Sequence, residues 1–558
     1  MFDRPNSISR LAIFCATIAF LLGSLTGCNS GTSTRSSSSN SATSQSQSPV
    51  ASPATPQVAN TEAKQADSSA APLAGLTGSG GEQPTEESYK SVAENQFFAA
   101  TSQPLSTFSI DVDTASYSNI RRYINDGQLP PQDAVRIEEM VNYFSYDYPQ
   151  PTDDKPFSIN TEVVNAPWNP QHKLIQIGLQ GKKVSVEKLP PNNLVFLIDV
   201  SGSMNEPNKL PLLKSSLKLL VNQLRPTDRV SMVVYAGSAG LVLPSTSGKE
   251  KSKIIAALDK LEAGGSTAGG EGIVQAYKVA RENFLKDGNN RVILASDGDF
   301  NVGVSSDEAL VKLIETERNS GVFLSILGFG MGNLKDSKME QLADKGNGNY
   351  AYIDSINEAK KVLVKEMGGT LLAIAKDVKI QVEFNPKQVQ AYRLIGYENR
   401  VLANRDFKDD KKDAGELGAG HAVTALYEVI PVGVKTDITF SKPTATPDAA
   451  DKDTKIAANS QELLQVRLRY KAPKSDTSQL ITSNVADSNV TIGKASANLK
   501  FASAVAAYGM NISNSKYKGS TNFNTIIELA TQSKGSDLDG YRAEFIRLVE
   551  KSKKIAES

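Results

Sequence analysis

Beyond residue 28 the chain contains no cysteine, and its 558 residues include only two histidines and one tryptophan. Cys15 and Cys28 both fall in the N-terminal stretch, so the remainder holds neither a disulfide nor a thiolate metal site. With His172 and His421 as the only imidazoles, zinc hydrolysis and nucleophile–histidine catalysis are poorly supplied. Excess charge is missing as well: Lys plus Arg and Asp plus Glu are 61 each. No global basic field exists to collect nucleic acid, and no acidic surplus marks a solvating tail. The apolar run Leu11 to Leu22 is too short to span ~30 Å of hydrocarbon as a permanent helix.

That run, preceded by Arg4 and Arg10, suits a signal-peptide core. It closes in Leu25-Thr26-Gly27-Cys28, which resembles the bacterial lipobox, whose cysteine is lipidated and begins the mature protein. An ordinary signal peptide with a chance cysteine is the alternative. Small residues before Cys28 and the segment after it favour lipidation. From Asn29 to about Pro84 the chain is Ser, Thr, Ala, Gln, Pro and Gly with no aromatic residue. Such a segment cannot bury enough apolar area to offset its ordering entropy, and it is read as a disordered tether with an r.m.s. reach of about 40 Å. The resemblance implies a cell-envelope protein, anchored to a membrane on the exported side. Asn29 after the cysteine points to the outer membrane in a diderm bacterium.

At this length several domains are expected. Residues 85–150 are rich in Phe and Tyr and read as a small N-terminal module packed on something larger, with helices at Ala115–Asp126 and Asp133–Phe144. Residues 151–189 carry two strands, Phe157–Val164 and Leu174–Leu179. Residues 190–368 alternate strands and helices, beginning with the almost wholly apolar Leu194–Asp199, as in a buried parallel sheet. That segment is expected to end in a helix, Ile356–Met367, with Ile356, Ala359, Val362, Leu363 and Met367 on one side. Residues 369–480 are β-rich, and 481–558 are helical. Alternation of this kind predicts an α/β, doubly wound, mostly parallel sheet with right-handed crossovers.

Three oxygen-rich motifs fall at expected strand ends, where ligands bind in open α/β sheets. They are Asp199-Val-Ser201-Gly-Ser203, the loop Gly264-Gly265-Ser266-Thr267, and Ser296-Asp297-Gly298-Asp299. In this order they resemble the metal-ion-dependent adhesion site (MIDAS) of von Willebrand factor A-type (VWA) domains. The resemblance implies metal ligands at Asp199, Ser201, Ser203, Thr267 and Asp297. Carboxylates and hydroxyls are hard donors that favour Mg²⁺, Mn²⁺ or Ca²⁺ over zinc or copper. With two carboxylates only, a bound ion keeps electrophilic character that an acidic side chain of a protein ligand can satisfy. The segments Asp111–Tyr117, Ala166–Asn169, Gly396–Asp406 and Asp413–His421 resemble bacterial secreted VWA proteins of the YfbK type.

The resulting expectation is a non-enzymatic, lipid-anchored protein that binds a protein ligand through the cation, and not nucleic acid. One alternative is an envelope assembly or scaffold factor in which the metal is structural. Another is a metal-dependent hydrolase, disfavoured because the motifs hold no general-base candidate. Asp111-Val-Asp113-Thr114 resembles phosphotransferase and aspartic-protease signatures but departs from both at Ala115. His421 is read as structural. The strands before residue 190 are too few for a stable sheet alone. The VWA segment is therefore expected to be inserted in one β-sandwich built from strands on both sides of it, with its ends, near Pro191 and Gly368, opposite the metal. Resemblance to integrin-type VWA domains further implies that a shift of the last helix, Ile356–Met367, is coupled to the metal site.

Overall fold

A computed structural model describes residues 87–441 and 461–558, apart from 92, 111–112, 267–268, 299–306, 367–368 and 370–371. The expected signal peptide, Cys28 and the tether lie outside the described residues. Among the described residues, no helix is long and apolar enough to cross a membrane.

The first described elements are β1 (Phe98–Ala99), β2 (Leu105–Ser109), α1 (Ala115–Asn125), α2 (Ile137–Asn142), β3 (Phe157–Ala166) and β4 (Asn169–Gly181). The helix expected over Asp133–Phe144 is broken. A 3-10 turn at Gln132–Ala134 is separated from α2 by extended backbone at Val135 and Arg136. The Ser116 hydroxyl explains the break: it donates to the Ala134 carbonyl and accepts from the Arg136 amide, so that amide is not available to a helix.

The α/β segment follows as β5 (Asn192–Asp199), α3 (Leu210–Gln223), β6 (Arg229–Tyr235), β7 (Ala239–Ser247), α4 (Lys251–Asp259), α5 (Gly269–Glu282), β8 (Asn289–Ser296), α6 (Asp307–Asn319), β9 (Val322–Phe329), α7 (Asp336–Lys345), β10 (Tyr350–Ile353) and α8 (Ile356–Lys360). The strands make one sheet in the order β10-β9-β8-β5-β6-β7, parallel throughout except for the antiparallel edge β7. Strand periodicity divides β5 between two cores. Leu194, Phe196 and Ile198 pack with α3, α4 and α8, while Val195 and Leu197 pack with α5, α6 and α7. Because both faces are covered, all eight residues of β5 are buried, which is why it reads as a continuous apolar run.

The last helix differs from expectation. The α-helix ends at Lys360 and continues as a π-turn over Lys361–Lys365. Ser355 caps it by accepting from the Glu358 amide, and Ile356 in the first turn is 44% exposed while Ala359 and Leu363 are buried. Met367 is outside the described residues.

Beyond it come β11 (Ala373–Phe384), β12 (Val389–Ile395), β13 (Gly415–Gly418), β14 (Ala422–Pro431), β15 (Glu462–Lys471), β16 (Ser478–Ala486) and the helices α9 (Ala497–Ile512), α10 (Phe523–Gln532) and α11 (Tyr541–Glu557). One sheet runs β1-β12-β14-β4-β3 and the other β13-β11-β15-β16, with β2 also on β11. Strand β4, before the α/β segment, pairs with β14, after it, from Lys173↔Val429 to Gln180↔Ala422. The α/β sheet is thus inserted in a β-sandwich, as the patterning predicts. The sandwich core joins Ile175, Ile177 and Leu179 of one sheet to Val378, Ile380, Val382, Val466 and Leu468 of the other. The helices α1, α2, α9, α10 and α11 cover the outer face of the first sheet around Tyr117, Tyr143, Phe144, Phe501 and Phe545. The aromatic density of the N-terminal segment is spent here, in edge-to-face contacts such as Phe144 with Phe501 and Phe545.

Both ends of the insertion lie at the amino ends of the parallel strands. The Pro191 carbonyl accepts from Asn289 at the start of β8. Gly369 abuts His421, which lines one cavity together with Arg291 of β8 and Asn349. The structural reading of His421 fits this packing: a Cβ at position 369 would come within 2.2 Å of the imidazole.

One buried charge cluster joins the layers, and a buried carboxyl stands at a second junction. Arg121 of α1 reaches Asp354 through two bonds of 2.7 and 2.5 Å, Glu358 of α8 at 2.7 Å, Tyr143 at 2.9 Å and Glu544 of α11 at 3.1 Å. At the other junction Glu416 has a buried Oε1 without a hydrogen-bond partner among the described residues. Its carboxyl is pushed up to about 8, first by burial and then by Asp413, Asp377 and Asp344, against the pull of Arg291.

Replacing Arg121 with Met should strand Asp354 and Glu358 as buried unpaired carboxylates and cost about 3–5 kcal/mol, read from urea unfolding. The Arg121→Met/Glu358→Gln double variant should recover part of that loss. The raised Glu416 pKa means that the folded form binds a proton more tightly than the unfolded chain. Its stabilising contribution is full below about 4.5 and is lost as pH rises to about 8. The thermal midpoint should fall across that window, and Glu416→Gln should flatten the slope.

Candidate metal centre

The end of a fully buried parallel strand must turn out of the sheet, and β5 does so at Asp199, which has no exposed surface. Its carboxylate is held on both oxygens. Oδ1 accepts from the Ser201 amide at 2.9 Å, while Oδ2 accepts from the hydroxyls of Tyr235 at 3.1 Å and Ser296 at 3.0 Å. Ser296 ends β8, the strand next to β5, and immediately precedes Asp297, also fully buried. Burial pushes the Asp199 carboxyl above the ordinary range, bonds from Ser201 oppose this, and nearby Asp297 adds to the rise.

Ser201 and Ser203 bring their hydroxyls within 3.1 Å of each other, Ser201 buried and Ser203 exposed. The glycine-rich loop is tied to this turn by its backbone: Gly264 donates to Val200 at 2.8 Å, and Gly202 donates to Gly265 at 3.0 Å. Gly265 takes a φ of +86°, open to glycine at no steric cost. Thr267, two residues on, lies outside the described residues. At Gly298 φ is +105°, and a Cβ would meet Leu334 and Lys335 backbone at 2.7 Å. This close approach is the physical reason for a glycine after Asp297.

Four of the five expected ligands are therefore described, and the chain brings the Asp199 and Asp297 carboxylates and the serine pair to the carboxyl ends of two adjacent strands. Among the described residues no group of three or more His, Cys, Asp or Glu could hold a metal. A cation here would rest on two carboxylates plus hydroxyls. That all-oxygen set fits Mg²⁺, Mn²⁺ or Ca²⁺.

Sequence reasoning missed three contributors. Tyr235 and Ser296 orient Asp199, and Lys209 places its Nζ 3.0 Å from Asp297 Oδ2. Ser296 stood inside a quoted motif, and Lys209 immediately precedes α3, but neither position reveals in sequence that it faces an aspartate. Of the other residues weighed in the sequence, Asp111 lies outside the described residues and the rest are tied into the fold by pairing. Asp113 accepts from the Tyr350 amide at 2.8 Å and pairs with Arg400. His172 sits 2.6 Å from Glu428, which Arg393 also engages.

Three family profiles divide the chain: von Willebrand factor over residues 83–176, von Willebrand factor type A domain over 193–365, and the C-terminal region of the uncharacterized protein YfbK over 369–555. The protein YfbK of Escherichia coli K12 is 45% identical over 473 residues, covering 83% of this chain and 80% of that one. The chain belongs to the YfbK family of VWA-domain proteins. A UPF0353 protein of Mycolicibacterium vanbaalenii is 29% identical over 202 residues, 31% of this chain and 60% of its own length. Among solved structures, a von Willebrand factor type A protein from Catenulispora acidiphila is 15% identical with a TM-score of 0.38, covering 71% of this chain and 89% of its own. YfbK-family membership takes in the VWA segment and the strands and helices that enclose it.

Proposed function

We propose that this YfbK-family chain is an exported, lipid-anchored, non-enzymatic protein that captures a protein ligand through a divalent cation on Asp199, Ser201, Ser203, Thr267 and Asp297. The observation that carries this reading is the convergence of two buried carboxylates and a serine pair beyond the ends of β5 and β8. Membership of a VWA-domain family supports protein interaction as the general mode. The bound cation would supply Lewis-acid attraction for a carboxylate of the partner. Asp199, fixed by three hydrogen bonds, presents a set geometry without reorganising on binding. Ser203, exposed at the rim, keeps one side of the site accessible to a ligand. The lipobox-like Leu25–Cys28 and the following tether support anchoring at a membrane on the exported side of the cell envelope.

Calorimetry of the wild type should detect Mg²⁺ or Mn²⁺ uptake, and Asp199→Ala should abolish it. Thr267→Ala should reduce chelator-sensitive retention of an acidic peptide while leaving the thermal midpoint within a degree or two. Uptake undiminished in Asp199→Ala would place any cation elsewhere. Anchoring is tested separately: Cys28→Ser should move the protein from the membrane to the soluble exported fraction, and continued membrane association would count against the lipid.

A further inference from the structure

Lys209 is an unusual neighbour for a divalent-cation site. It is 4% exposed, and its Nζ stands 3.0 Å from Oδ2 of the fully buried Asp297. It directly precedes α3, where the helix presents the positive end of its dipole, so the helix itself disfavours an ammonium there. Its alkyl stem is held by Gly330, which follows β9. A Cβ at that position would come within 2.4–2.8 Å of three carbons of the lysine side chain. Gly330 has a φ of +73°, and its carbonyl accepts from the Tyr352 hydroxyl, so the backbone that makes room for Lys209 is itself fixed. A buried lysine held against the dipole by shape on one side and an aspartate on the other is a built contact.

Resting on the metal reading of Asp199 and Asp297, we propose that Lys209 is a resident competitor of the divalent cation. Its ammonium neutralises Asp297 when the cation is absent, and it repels the cation when one arrives. Two buried carboxylates without a counter-charge would destabilise the empty site. Lys209 removes that penalty, and by the same charge it holds the cation affinity down. The ion is then bound weakly by the chain alone, and a ligand carboxylate raises its affinity by adding the negative charge that Lys209 offsets. Such coupling is reciprocal: the cation raises the affinity for the carboxylate by the same factor.

The test is Mn²⁺ binding to the full chain, followed by calorimetry and by the electron paramagnetic resonance of free Mn²⁺. The proteins are wild type, Lys209→Met, Lys209→Gln, Lys209→Arg and Asp199→Ala. Removing the charge should tighten Mn²⁺ binding by roughly tenfold or more in both Lys209→Met and Lys209→Gln, as expected for a unit charge a few ångströms away. Lys209→Arg should stay near wild type, and Asp199→Ala should not bind. Without Mn²⁺ the Met and Gln variants should melt lower than wild type, and Mn²⁺ should raise their midpoints more. Binding in the Met and Gln variants but none in wild type would also support the competitor role. Equal or weaker binding in both, with wild-type binding that Asp199→Ala abolishes, would overturn the role of Lys209 and leave the metal reading standing. Absence of Mn²⁺ binding in every protein would overturn both.

Discussion

The pairing of β4 with β14 is the constraint on which the architecture rests. These strands are separated by some 240 positions in the chain, yet they are antiparallel neighbours over eight matched positions. An unpaired strand edge inside a folded protein leaves amides and carbonyls without partners, so the ladder cannot be left half-made. For β14 to reach β4, everything between them must leave and return at one place. A doubly wound sheet satisfies this, because both its entry at Pro191 and its exit near Gly369 lie at the amino ends of its parallel strands. Its carboxyl ends, with Asp199 and Asp297, are then presented away from the sandwich. The position of the candidate site follows from strand pairing elsewhere.

The insertion is not left to swing on its two connections. Arg121 gathers carboxylates from the α/β segment and the C-terminal helix onto the N-terminal helix α1, and Arg400 joins Asp113 to Glu340 and Asp344 of α7. Arg121, Asp354 and Glu358 are buried and expensive to desolvate, a cost that their mutual pairing offsets. They specify one relative placement of the layers, since any slip leaves an arginine or several carboxylates without partners. Because Asp354 and Glu358 flank the start of the last helix of the α/β segment, that helix is held by the surrounding layers. The π-turn that follows it brings Lys361 over the Tyr143 ring at 4.2 Å. A shift of this helix of the integrin kind would have to break that set of contacts.

The candidate centre shows a related economy of charge. Asp199 is oriented by hydroxyls from two neighbouring strands, and Asp297 is met by a lysine from the start of α3. Neither carboxylate depends on an ion to be held in place. The arrangement holds both carboxylates through the chain's own donors.

Much of this was legible in the sequence, for identifiable reasons. The two-sided burial of β5 leaves an unbroken apolar run, and the motifs at Asp199 and Asp297 are short because each sits on one turn after one strand. Strand–helix alternation determined the doubly wound sheet, and the scarcity of strands on either side of it required that they share a sandwich. Tertiary structure alone decided the break before α2, where the Ser116 hydroxyl captures the Arg136 amide inside the stretch expected to be one helix. It also decided the part played by β1, β2, β13 and β16, whose short or polar stretches acquire strand geometry only from the partners they meet. The same holds for Lys209. Its charge is plain in the sequence, but an ion pair with an aspartate 88 positions away exists only once β5, β8 and β9 lie side by side.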